Sequence, residues 1–174
     1  VPTELPRTLA YLDALEATGR YTLMVWPVHC QLGSWGHGLH PAVLAACDAW
    51  EDAAHTPVRV VDKGSYPWSE HYSALQAEVP DPAVPATQLD QVLLQRLDAA
   101  DTLLVAGQAS SHCVKATVEH LVQHLPGGRP QRLLLLTDCM SPVAGFEPQA
   151  QGFLAAMAAI GVRCMPQADA ARLL

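Results

Sequence analysis

Apolar residues recur along this 174-residue chain first at helical spacing and then in short runs of strand type, in alternation. Leu5, Leu9, Leu12 and Leu15 keep the period of a helix, and Gly19 is a natural stop for it. Tyr21 to Trp26 reads as a short strand broken by Pro27. Pro41 opens a second helix, with Val43, Leu44, Cys47 and Trp50 on its inner face. Three strand-to-helix units follow. Val58, Val60 and Val61 lead to a helix carrying Leu89, Val92, Leu93 and Leu97, with Thr87 as its N-cap and Asp90 in its first turn. Leu103 to Ala106 leads to a helix with Val114, Val118, Leu121 and Val122. Leu133 to Leu136 leads to one with Phe153, Leu154, Met157 and Ile160, and a last short strand follows Gly161.

The second and third of these strands are continuously apolar, which predicts cover on both faces. Strand and helix in this order predict an α/β fold: a parallel sheet between helical layers, Rossmann-like in its three layers. Residues 64–86 interrupt the rhythm with four prolines and three aromatics. A connection of that length is usually functional or has short structure of its own. No repeat or linker divides the chain, so a single domain over 1–174 is expected.

Charge and composition narrow the function. The net charge is −7, with Lys+Arg 10 against Asp+Glu 17, and nucleic-acid binding wants the opposite sign. No apolar run approaches the roughly 18–20 residues of a membrane span. The five cysteines (Cys30, Cys47, Cys113, Cys139 and Cys164) are odd in number and scattered. That argues against a disulfide framework and makes a reducing cytoplasm the simplest home.

Open parallel sheets bind ligands beyond the carboxyl ends of their strands. Asp62-Lys63-Gly64 follows the valine run, the segment from Gly107 to Cys113 follows the second apolar run, and Thr137-Asp138-Cys139 follows the leucine run. Topology alone thus gathers a lysine, a cysteine and a carboxylate on one edge. Cys113 falls at a helix N-terminus, which favours a thiolate, and Lys63 is a candidate counter-cation. Free N–H groups at the helix start could hold an oxyanion. These are parts for acyl transfer through a thioester. The plainer readings are a small buried cysteine, a solvated lysine, and an aspartate that caps a loop.

Four segments in this order resemble the isochorismatase-like cysteine hydrolases, and among them the nicotinamidases and pyrazinamidases. They are WPVHCQLGSWGHGLHP (Trp26 to Pro41), Lys63-Gly64 with Tyr72-Ser73-Ala74 downstream, GQASSHCVKAT (Gly107 to Thr117), and Leu136-Thr137-Asp138. The resemblance implies an isochorismatase-like fold and hydrolysis of a small amide such as nicotinamide to the acid and ammonia. It makes Cys113 the nucleophile and Lys63 the group that stabilises its thiolate. It puts the oxyanion on the N–H groups of Ala109 and Cys113, beside a cis Gln108–Ala109 peptide. His29 becomes one ligand of a divalent metal, zinc first, with iron or manganese as alternatives. Trp26 lines the substrate pocket, with Tyr66 or Trp68 as weaker candidates. Family members often form dimers or tetramers.

The match departs from the family in three places. Ser111 stands where the family has Asp, and Gln108 where it has an apolar residue. The segment between Gly64 and Tyr72 differs from that of compact members. The family's first strands, which carry a catalytic Asp and an Asp-x-His metal pair, have no counterpart before Trp26. Asp13 lies in a predicted helix and does not inherit that role. The expectation is therefore a chain that is the C-terminal part of a longer protein. Alternatives are a related hydrolase with another substrate, a non-catalytic member that keeps the fold, and a structural zinc site around Cys30 and His29, whose spacing matches no closed four-ligand pattern.

Overall fold

The computed structural model describes residues 2–173. The described residues divide into two compact units, one of residues 2–11 with 62–173 and one of residues 12–61. Helix α1, Leu5–Ala17, runs from the first into the second.

The larger unit is built on three parallel strands in the order β1-β2-β3: Leu103–Gln108, Leu133–Ser141 and Arg163–Met165. Helices α3 (Gln91–Asp98), α4 (Cys113–His124), α5 (Glu147–Ala159) and α6 (Gln167–Ala170) alternate with them, which is the predicted α/β order. Consecutive residues of a strand face opposite sides of the sheet. Leu133, Leu134 and Leu135 are all buried, so both faces are covered at β2. Each such side chain stabilises the fold by about 1.5–3 kcal/mol. β1 differs from expectation. Its burial alternates, and Leu104 is 46% exposed. It is an end strand of the sheet, and one of its faces is left open among the described residues.

The β1–β2 register breaks. Val105 pairs with Leu135, but Gly107 pairs with Met140 and Gln108 with Ser141. The extra residues on β2 bulge, and the strand returns to pair again. β2 is thus longer than the leucine run predicted. Thr137, Asp138 and Cys139 lie inside it rather than beyond its end.

Helix α3 begins later than expected. Asp90, not Thr87, is its N-cap, and its carboxylate accepts the Leu93 N–H at 2.8 Å. Thr87 sits in the preceding 3-10 turn, fully buried, where its hydroxyl donates to the Val84 carbonyl at 2.7 Å and accepts the Asp81 N–H at 2.9 Å. Residues 64–86 form no regular strand, yet they bury Tyr72, Leu75 and Ala77. Their backbone is held by Glu78 N–H to Glu70 O (2.8 Å) and Ala77 N–H to Thr87 O (3.0 Å).

In the smaller unit, α2 spans Pro41–Ala54 with the predicted Pro at its start. His40 caps it, accepting the Ala42 N–H at 3.2 Å. The strands expected at 21–26 and 58–61 do not form. A strand needs a neighbour to take its N–H and C=O groups, and no ladder partner exists for either among the described residues. The expected inner face of α2 is not buried either: Val43, Leu44 and Trp50 are about half exposed, and Leu15 is the one buried residue described in this unit.

These contrasts predict an asymmetric response to truncation. Leu134→Ala, at a fully buried position, should cost about 2–5 kcal/mol. Leu104→Ala, at the open face of β1, should cost less than about 1 kcal/mol. Urea denaturation of both variants measures the difference, and equal losses would contradict the burial described for β1.

Candidate active site

The site grows from the turn between β1 and α4. The Gln108–Ala109 peptide is cis, as the resemblance implies. Ala109, Ser110, Ser111 and His112 follow as four consecutive buried residues, and α4 starts at Cys113. The N–H groups of His112 and Val114 both donate to the Ala109 carbonyl, each at 3.0 Å. Among the described residues, the N–H groups of Ala109 and Cys113 take no backbone acceptor. Two unused donors at a helix start are what an oxyanion requires.

The Cys113 thiol is half-buried and free. Lys63 Nζ lies 3.5 Å from its Sγ and donates to the His71 carbonyl at 2.9 Å. An ammonium at that distance is a counter-ion for a sulfur anion. The carbonyl of Cys113 accepts the Thr117 hydroxyl at 2.7 Å, and that hydroxyl accepts the Ala74 N–H at 3.0 Å. The Tyr72-Ser73-Ala74 motif is thereby tied to the first turn of α4. This explains why a motif with no reactive side chain accompanies the Cys113 segment.

The structure thus brings together Cys113, Lys63 and Ala109. Tyr66 has other partners. Its hydroxyl accepts from Arg7 Nη2 at 2.5 Å and donates to the Asp81 carboxylate. The Asp81 bond, which needs the phenolic proton, pushes the Tyr66 hydroxyl above its ordinary range. With Trp68, over which the Arg7 guanidinium lies at 4.2 Å, these residues and Tyr11 line a groove of about 220 Å³. Trp26 and His29 belong to the smaller unit. Trp26 is half-buried and His29 exposed. His29 Nδ1 is 2.6 Å from the Pro27 carbonyl, which leaves Nε2 available.

The donor set for a metal is incomplete. Among the described residues no group of three His, Cys, Asp or Glu side chains could hold an ion. A single imidazole does not make a zinc site, and the closed site considered around Cys30 is likewise not formed. Asp138 Oδ1 accepts the Gln167 N–H at 2.8 Å, at the start of α6, and the Cys139 thiol. Burial and the adjacent Asp138 push the Cys139 thiol up. Three participants were not legible from residue types. The His71 main-chain carbonyl holds Lys63, and Ser141 and Val143 meet the turn that precedes Cys113. Main-chain acceptors and donors leave no mark in a sequence.

No family model matches the chain, and no curated protein is similar to it in sequence. Solved structures do share its fold. The yeast nicotinamidase bound to the inhibitor nicotinaldehyde superposes with a TM-score of 0.59 at 20% identity, over 83% of this chain and 60% of that one. A nicotinamidase/pyrazinamidase of Acinetobacter baumanii gives 0.59 at 20%, over 86% and 63%. The pyrazinamidase of Pyrococcus horikoshii, in complex with zinc, gives 0.53 at 15%, over 95% and 86%. The chain therefore has the isochorismatase-like α/β fold. These three solved structures are nicotinamidases and pyrazinamidases, and this chain spans about 60% of the length of the yeast enzyme. No helix is long and apolar enough to cross a membrane among the described residues.

Two histidines of the larger unit predict a pH dependence. His71 and His112 are both held below the ordinary value of 6.5, first by burial and then by Lys63 and Lys115 respectively. The unfolded chain therefore takes up these protons at higher pH than the folded chain. Stability from this source is complete above about pH 6.5 and is lost as pH falls below it, through the unfolded value and on toward the folded ones. Burial pushes the Glu70 carboxyl up, an effect of opposite sense that enters at lower pH. Melting curves at about pH 7.5 and about pH 5.5 should show a smaller drop for the His71→Gln, His112→Gln double variant than for the unmodified protein. An equal drop would remove these two rings from the account.

Proposed function

We propose that the protein is a cysteine amidohydrolase that converts a small amide such as nicotinamide, with water, to the carboxylic acid and ammonia. One observation carries the reading: a lysine ammonium 3.5 Å from a cysteine thiol at a helix start, beside two backbone N–H groups with no backbone acceptor. The neighbours support the substrate class, because the solved structures it superposes on are a nicotinamidase, a nicotinamidase/pyrazinamidase and a pyrazinamidase.

In this reading Cys113 Sγ attacks the amide carbonyl carbon. The C–S bond forms as the carbonyl π pair moves to oxygen, and the N–H groups of Ala109 and Cys113 hold that charge. The C–N bond then breaks, and nitrogen leaves as ammonia with the former thiol proton. Water attacks the thioester, one of its protons returns to sulfur, and the acid departs. Lys63 Nζ, 3.5 Å from Sγ, stabilises the negative charge that sulfur carries as its proton passes to the leaving nitrogen. Trp26 is proposed to line the substrate pocket and Tyr66 to contribute to it. His29 is the chain's proposed contribution to a divalent-metal site, zinc by preference; such an ion would orient the ring nitrogen of the substrate. The described residues do not complete that site, so no step above depends on it. Thiolate chemistry needs a reduced Cys113, in keeping with a cytoplasmic location.

The test is ammonia release from nicotinamide by the longest natural form of the protein, with and without added zinc, beside its Cys113→Ala variant. Release is expected from the parent, and the variant should lose at least about 10³-fold. Lys63→Met should lower the rate of Cys113 alkylation by iodoacetamide at neutral pH as well as turnover. Equal turnover in parent and Cys113→Ala would end the nucleophile assignment. Activity that survives chelation would end the proposed role of the metal.

A further inference from the structure

Two of the residues by which this chain departs from its relatives, Gln108 and Ser111, flank the cis peptide and the buried turn. Both reach the same short piece of chain. Gln108 Nε2 donates to Ser141 Oγ at 2.7 Å. Ser111 Oγ accepts the Val143 N–H at 3.0 Å and lies 2.9 Å from His112 Nδ1. Between them the Ser110 N–H donates to the Ser141 carbonyl at 2.9 Å. The β1–β2 register break makes this reachable, because it pairs Gln108 with Ser141.

We infer that Gln108 and Ser111 are positioning residues that fasten the nucleophile turn to residues 141–143 and so fix the donors of Ala109 and Cys113. The inference rests on the amidohydrolase reading above and deepens it. Ser111 is 2% exposed, and its hydroxyl serves two neighbours at once. Its loss would strand the half-buried N–H of Val143 and release the His112 ring, which packs edge-on against Phe146 with centroids 4.6 Å apart. His112 directly precedes the nucleophile, so freedom gained there is passed to Cys113. On the other side of the turn, Gln108 is exposed, and its amide bond to Ser141 is a surface tether at the end of β1. The two bonds bracket the turn, one wet and one dry. Neither side chain need touch substrate.

Donors aimed at an oxyanion act in the transition state and not in the ground state. A misplaced turn should therefore lower kcat and leave KM nearly unchanged. Ser111→Ala and Gln108→Leu are expected to lower kcat by about 10–100-fold, the scale of a misalignment near 1 Å. Ser111→Thr, which keeps the hydroxyl, should restore most of it. Cys113 alkylation by iodoacetamide at neutral pH, read at that peptide by mass spectrometry, should slow in Ser111→Ala and recover in Ser111→Thr. Melting curves accompany each variant. Unchanged kcat and alkylation in Ser111→Ala would overturn the inference. So would equal losses in the Ala and Thr variants that merely follow their melting temperatures. If the unmodified protein releases ammonia from no small amide, the functional reading fails by itself. The alkylation rates then decide the positioning role alone: slowing with recovery supports it, and no slowing overturns it.

Discussion

The break in register between β1 and β2 is the constraint on which the candidate site depends. Had the two strands kept the pairing of Leu103 with Leu133 throughout, Ser141 would lie beyond the end of β1. It instead pairs with Gln108. Bulges are rare in parallel ladders and gather at sheet edges, and β1 is an end strand. Burial of Leu133 to Leu135 anchors the first half of β2, and the second half is free to shift toward the turn. The core residues and the site are thus two halves of one strand with different tasks.

A second constraint comes from the irregular segment between Gly64 and Thr87. It has no ladder to satisfy its backbone, so it uses its own turns, the Ser69 and Thr87 hydroxyls, and Thr117 on α4. This makes it a fitted wall rather than a loose connection. Lys63 stands at its beginning, and His71 within it supplies the carbonyl that holds the ammonium against Cys113. A lysine carries about 2 kcal/mol of rotamer entropy. Two acceptors, the His71 carbonyl and the Cys113 sulfur, offset what is lost in holding it still.

Much of the larger unit was legible from residue pattern. The runs at Leu103 and Leu133 are strands, and the helices bearing Val118 and Phe153 follow them, because burial on a packed sheet leaves periodicity in the residues. The valine run at 58–61 carries the same propensity and forms no strand, since propensity supplies no partner. Thr87 and Asp90 are both good caps. Which one begins α3 depended on where the preceding turn spends its hydrogen bonds, and Thr87 was already engaged with Val84 and Asp81. Asp138 was drawn toward the site by its place after four leucines. The bulge instead turned it to the first N–H of α6.

The same logic orders the candidate site. Cys113 and Lys63 were visible because thiol and amine are rare, reactive types, and the lysines number two. Ser111 and Gln108 were visible only as departures from a motif, without a purpose. Their purpose lies in partners more than thirty positions away in the chain, at a strand end whose length the leucine run did not disclose. A substitution in a reactive turn is easily taken for decay of function. Two substitutions that reach one neighbouring segment, from either side of a buried turn, describe a different way of holding it. Retention of aligned donors is a physical requirement of acyl transfer. The acidic side chain that the resemblance implies at the position of Ser111 would be one means to that end, and a hydroxyl with two partners is another.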